Sequence, residues 1–125
     1  MIKFDNEIVL LLQQLVIEKS GGGLGVRDLG LLDSAINSSY QTFGGVELYP
    51  TIEEKGARLG FNLVSNHAFV DGNKRIGLLI MLTFFAINNV NLKYSDDDLV
   101  YLGLSLADGK LSYEELLSWI KEHRI

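Results

Sequence analysis

From Ile76 to Ile87 the chain runs almost without a polar side chain and without proline, and no other segment limits the fold as strongly. The run is too short to span a bilayer, which takes about 20 apolar residues, so its apolar surface has to be covered by protein. Extended back to Asn73 and on to about Asn89, it reads as one helix roughly 25 Å long at about 1.5 Å per residue. A helix that is hydrophobic nearly all round belongs at the centre of a domain, with the remaining elements packed around it.

Those elements announce themselves by repeated start signals. Asp5 or Asn6 can cap a helix running to about Lys19, with Ile8, Leu11, Leu12, Leu15 and Val16 expected on its inner face, and Ser20-Gly21-Gly22-Gly23 stops it. Asp28 can cap a second helix through about Tyr40, with Leu31, Leu32, Ala35 and Ile36 inward. Residues 42–50 fit no helix: Gly44-Gly45 between aromatic and β-branched residues reads as a hairpin or exposed flap. Thr51-Ile52-Glu53-Glu54 has the capping-box form and opens a third helix to about Asn66. After the apolar helix, Ser95-Asp96-Asp97-Asp98 starts a fifth that ends near Gly109. Ser112-Tyr113-Glu114-Glu115 starts a sixth, carrying Leu116, Leu117, Trp119 and Ile120. The expected fold is all-α, a six-helix bundle with a short flap between helices 2 and 3, forming one domain over residues 1–125.

The chain carries 47% hydrophobic residues, one proline and no cysteine, which excludes disulfides and thiolate metal sites. A net charge of −5 with scattered lysines and arginines argues against a nucleic-acid surface, which needs a basic patch. The amino terminus has acids where a signal peptide wants cations, and Gln13 and Gln14 interrupt its apolar stretch. The expectation is a cytoplasmic protein with no membrane contact. Lys121, His123 and Arg124 complement the last turn of the last helix and read as structural.

Chemistry concentrates in His67-Ala68-Phe69-Val70-Asp71-Gly72-Asn73-Lys74-Arg75. Singly, each residue has a structural explanation: a hydrogen-bonded histidine, a core phenylalanine, an Asp-Gly turn, two solvated cations. Together they form a parts list for phosphate chemistry. A helix opening at Gly72-Asn73-Lys74 offers backbone N–H donors and a positive dipole end to a phosphate. Two consecutive cations in a first turn oppose that dipole by a few tenths of a kcal/mol each, so their presence suggests that an anion is expected there. Asp71 can hold a magnesium ion that keeps most of its waters. Asn73 can offer its amide to a phosphate oxygen, Arg75 a bidentate guanidinium and Lys74 a mobile point charge. His67 is the one group of the run whose reference pKa lies near neutrality, the natural base for a hydroxyl.

This run resembles the signature of the Fic/Doc superfamily, His-x-Phe-x-[Asp/Glu]-Gly-Asn-x-Arg, and Lys74 resembles its death-on-curing (Doc) branch. Adenylylating Fic enzymes typically have glycine at that position and a further arginine where this chain has Leu78. Residues 25–32, Phe43-Gly44-Gly45 with Tyr49-Pro50, and residues 54–60 are also similar to Doc-type sequences. The resemblance implies a Fic fold with the motif between two central helices. It further implies a toxin of a toxin–antitoxin system that uses ATP and Mg2+ to phosphorylate a serine or threonine of a target protein, elongation factor Tu for Doc toxins, so that translation is inhibited. The catalytic residues would be His67, Asp71, Lys74 and Arg75; the nucleotide would be held by Gly72, Asn73, Lys74 and Arg75, and the metal by Asp71. The flap, Phe43, Gly44, Gly45, Val46, Glu47, Leu48 and Tyr49, would align the target by strand pairing, although its residues alone fit an ordinary loop equally well. Lys55 and Arg58, three apart on the helix leading to His67, could face the nucleotide but read better as solvated. Some Fic proteins restrain themselves with a [Ser/Thr]-x-x-x-Glu-[Gly/Asn] helix, which no segment here fits, so restraint is expected from a cognate antitoxin whose tail folds on binding. The alternatives are AMP transfer by the same site and a non-catalytic module that binds a regulator.

Overall fold

The computed structural model describes residues 1–125. Five of its six helices begin where a side chain takes over the first free amides. Asp5 accepts from Ile8 N and opens α1 (Asn6–Ser20), and Asp28 accepts from Leu31 N and opens α2 (Leu29–Asn37). Thr51, Ser95 and Ser112 form reciprocal capping boxes with Glu54, Asp98 and Glu115, opening α3 (Ile52–Ser65), α5 (Asp96–Ala107) and α6 (Tyr113–His123). Each such cap stabilises its helix by about 1 kcal/mol. The exception is α4 (Asn73–Ile87), preceded by Gly72 in the left-handed conformation with no capping side chain. A 3-10 turn, Ser38–Tyr40, continues α2, and the sheet is one antiparallel hairpin of β1 (Thr42–Phe43) and β2 (Val46–Glu47). The protein is therefore all-α apart from the flap, with the six helices near the positions their start signals predict.

The central pair is α3 and α4, which make the largest helix–helix contact in the molecule. A Cβ on Gly60 would stand 2.6 Å from Met81 Sδ, and one on Gly77 would stand 2.8 Å from Val64 Cγ2 and 3.1 Å from the Val64 amide nitrogen. Two side-chain-free positions thus let the helix backbones approach closely. Because α3 ends where the motif begins and α4 starts where it turns, this contact fixes both ends of residues 66–72. One buried cluster surrounds the pair and runs from Phe4 to Ile120, with Ile76, Ile80, Met81, Phe84 and Phe85 supplied by α4. Each of these large side chains contributes about 1.5–3 kcal/mol on burial. No helix is long and apolar enough to cross a membrane.

Two sequence expectations change in the structure. The inner face of α1 is centred on Val9 and Gln13, both fully buried, while Leu11 and Leu15 are exposed. Apolar residues on nearly every side of α1 leave its rotation open; the Gln13 amide, which donates to the Gly25 carbonyl at 2.8 Å, helps to set it. The central helix α4 is buried on most sides but leaves Leu79 and Ile87 exposed. At the carboxyl end, Arg124 pairs with Glu53 at 2.9 Å and Ile125 N donates to the Asn91 carbonyl, which ties the last residues to the bundle.

Candidate active site

Between α3 and α4 the chain makes a turn whose backbone is held from both flanks. His67 takes a left-handed conformation, φ 53°, which is uncommon for a residue with a side chain and needs support from its surroundings. That support is supplied by the segment before α2. Arg27 Nε donates to the His67 carbonyl at 2.8 Å, Arg27 N and Asp28 N both donate to the Ala68 carbonyl, and Val70 N donates to the Gly25 carbonyl at 3.1 Å. On the other flank Asn73 Oδ1 accepts from Phe69 N at 2.9 Å and Asn73 Nδ2 donates to Phe69 O at 3.1 Å. The Phe69 ring itself is buried in the core. His67 emerges from this turn with its side chain exposed.

The motif pattern assigns the Asn73 amide to a phosphate, and the structure gives that side chain another occupation: both ends lock the Phe69 backbone. Its main-chain N–H remains available. The amides of Asn73, Lys74 and Arg75 have no acceptor within the chain, since the first helical bond of this end is Ile76 N to the Gly72 carbonyl at 2.8 Å. Three donors therefore point out of the positive end of a rigid, buried helix, where an anion would be stabilised.

Asp71 is exposed and accepts from Gly72 N at 2.8 Å and from Gly23 N at 3.2 Å, one bond on each oxygen. A carboxylate has room for further partners. No three histidines or acids are placed together so as to hold a metal ion, so a cage built wholly of protein ligands is not what this fold offers a metal. Asp71, a carboxylate with room for further partners beside the free amides, is the residue that would hold a hydrated Mg2+. Arg75 donates through Nη2 to the Gly21 carbonyl at 3.0 Å, while its Nε is buried without a partner. Lys74 is exposed, and its stem lies against Gly103 of α5. Lys74 and Arg75 border a cleft of about 230 Å³ between α4 and α5, with Leu78 and Val100; Arg75 also borders one of about 330 Å³ between α1 and α4.

The glycine run after α1, a plain loop by its sequence, is folded onto the motif. A Cβ on Gly22 would stand 2.9 Å from Asp71 Oδ2 and 3.2 Å from Arg75 Nη2. Neither this loop nor Arg27 is assigned a role by sequence reasoning, because glycine carries no chemistry to notice and Arg27 acts on a segment 40 residues away. The flap is a hairpin as expected, its turn formed by Gly44 and Gly45 at φ 58° and 80°, with Phe43 80% and Val46 69% exposed. Neither Lys55 nor Arg58 is freely solvated, and Arg58 is half-buried. Lys55 is buried against the foot of the flap, and the Arg58 guanidinium lies 3.8 Å from the Tyr113 ring centroid.

A model of the Fic/DOC family matches residues 3–85, from before α1 almost to the end of α4. The chain belongs to the Fic/DOC family. Toxin Doc of Mycolicibacterium smegmatis (strain ATCC 700084 / mc(2)155) is 49% identical over 72 residues, which is 58% of this chain and 55% of that protein. The chain thus spans about half the length of the curated relative it matches. Similarity to a Doc protein agrees with the branch read from Lys74.

Proposed function

We propose that this protein is the toxin of a toxin–antitoxin pair and acts as an ATP-dependent kinase of a serine or threonine hydroxyl on a target protein. The observation that carries the reading is the start of α4: three consecutive amides without acceptors follow directly on the turn that presents His67. Donors fixed before the substrate arrives are the main resource for phosphoryl transfer, because they need not reorganise as charge moves. These amides, with Lys74 and Arg75 beside them, suit the phosphates of ATP. Mg2+ held by Asp71 would neutralise charge on the phosphate oxygens.

In the proposed reaction the hydroxyl oxygen attacks the γ-phosphorus and the bond from that phosphorus to the β,γ-bridging oxygen breaks. The hydroxyl proton passes to an imidazole nitrogen of His67, and ADP leaves with the electron pair. Attack at the γ-position rather than the α-position is supported by Lys74 and Leu78, which stand where adenylylating members of the family have glycine and arginine. The likeness to a Doc toxin supports a cognate antitoxin as the partner that restrains it; elongation factor Tu as the target and inhibition of translation as the outcome follow the Doc resemblance of the motif.

Incubating the protein with elongation factor Tu and ATP labelled at either the γ- or the α-phosphate tests the reading, with intact mass naming the added group. Label from the γ-position on the acceptor is expected. Label from the α-position would make the protein an adenylyltransferase instead. Toxicity undiminished in His67→Ala, with no label transferred, would make it a module that acts by binding alone.

A further inference from the structure

A buried lysine at the foot of the flap has no part in the chemistry proposed above. Lys55, in the first turns of α3, is 3% exposed, a burial that lysines rarely reach unless paired. Its ammonium donates to Glu47 Oε1 at 3.0 Å and to the Tyr49 carbonyl. Both partners belong to the flap and its return to α3. The Tyr49 ring is held from a second direction: it meets Tyr113 of α6 edge-on at 5.6 Å, and the Arg58 guanidinium lies 4.8 Å from its centroid.

An ammonium in this position is strongly disfavoured unless its donors are taken up. Buried Lys55 therefore stabilises those flap conformations that bring Glu47 and Tyr49 to it, and opposes the others. The flap tip has no comparable hold, since Phe43 and Val46 are exposed to solvent and a Cβ on Gly44 or Gly45 would meet nothing within 4 Å. The helix that carries Lys55 near its start delivers His67 just past its end, and its close packing on α4 makes it a rigid spacer between them.

We infer that Lys55 is the positioning residue of the flap, setting where an acceptor segment pairs relative to the His67 turn and so governing acceptor affinity rather than the transfer step. The acceptor half of the inference rests on the kinase reading; the flap half does not.

Amide hydrogen exchange of residues 42–48 in the full chain, together with transfer kinetics, tests both halves in Lys55→Met and Glu47→Gln. Methionine keeps the buried stem and removes the ammonium. Flap amides are expected to exchange at least about tenfold faster in Lys55→Met, the weight of a charge-assisted hydrogen bond, and to a smaller degree faster in Glu47→Gln. Amides in the middle of α4 should not change. The acceptor KM should rise about tenfold in Lys55→Met while kcat and the Kd for ATP stay within about twofold. Unchanged flap exchange in both variants overturns the inference, as does a fall in kcat at constant acceptor KM. If the parent transfers nothing, the kinase reading falls and the exchange result still decides whether Lys55 holds the flap. Should Lys55→Met fail to fold, Glu47→Gln, whose side chain is 51% exposed, decides by the same two measurements.

Discussion

The two irregular segments that flank α3, the flap before it and the motif turn after it, are held in opposite ways. In the turn, the backbones of His67, Ala68, Phe69 and Val70 all bond to groups outside it, from Gly25 and Arg27 on one side and Asn73 on the other. The flap is anchored at its foot by Lys55 and by Leu48 N donating to the Gln41 carbonyl, and its tip presents Phe43 and Val46 to solvent. The contrast matches the two tasks proposed for these segments. Transfer chemistry works from donors and a base that are already in place, whereas strand addition works from an edge that is free to accept another chain.

Substitutions can break this contrast, and the largest effect is expected at its most constrained point. His67→Ala should lower transfer by about 10²–10⁴-fold, the usual weight of a general base, with an unchanged helical circular-dichroism spectrum. Transfer at the parental rate would remove the histidine from the reaction. Asn73→Ala deprives the Phe69 amide and carbonyl of their partners and should cost about 2 kcal/mol in urea unfolding, two hydrogen bonds at about 1 kcal/mol each. A loss under about 0.5 kcal/mol would show that the turn is not locked as described.

Arg27→Met sharpens the comparison from outside the motif. Without the bond to the His67 carbonyl the left-handed turn loses a support, and kcat should fall about tenfold with acceptor KM unchanged. A rise in KM alone would assign Arg27 to binding instead. On the other side of the contrast, Phe43→Ala should leave stability within about 0.5 kcal/mol, as for surface substitutions generally, and raise acceptor KM several-fold. A clear loss of stability on thermal melting would mean that the flap tip is packed after all.

The smallest effect concerns the foot of the flap at alkaline pH. Burial first, then the charge of Glu54, pushes the Tyr113 hydroxyl up to about 12, and this hydroxyl donates to the Glu54 carbonyl. Since the folded value lies above the unfolded one of about 10, Tyr113 contributes its stability in full below pH about 10. That contribution disappears as the pH climbs through about 12. Tyr113→Phe should therefore flatten the fall in stability across that window, followed by urea unfolding at a series of pH values. An identical alkaline limb in both proteins would place the transition elsewhere.

Much of the fold and part of the site are legible in the order of the residues. Helix starts can be read because a cap acts within three residues: Asp5, Asp28, Thr51, Ser95 and Ser112 each bond to an amide three positions on. The centrality of α4 follows from its unbroken apolar run, and the family from the motif that precedes and opens it. Tertiary structure alone decides the rotation of α1, the folding of the Gly21–Gly23 loop over Asp71 and Arg75, the support of His67 by Arg27, and the burial of Lys55. Three of those contacts join residues 40, 48 and 54 positions apart. Caps and periodicity are set by neighbours along the chain. A hydrogen bond across such separations exists only once the core has packed, and a glycine or a lysine has its role set by what arrives beside it.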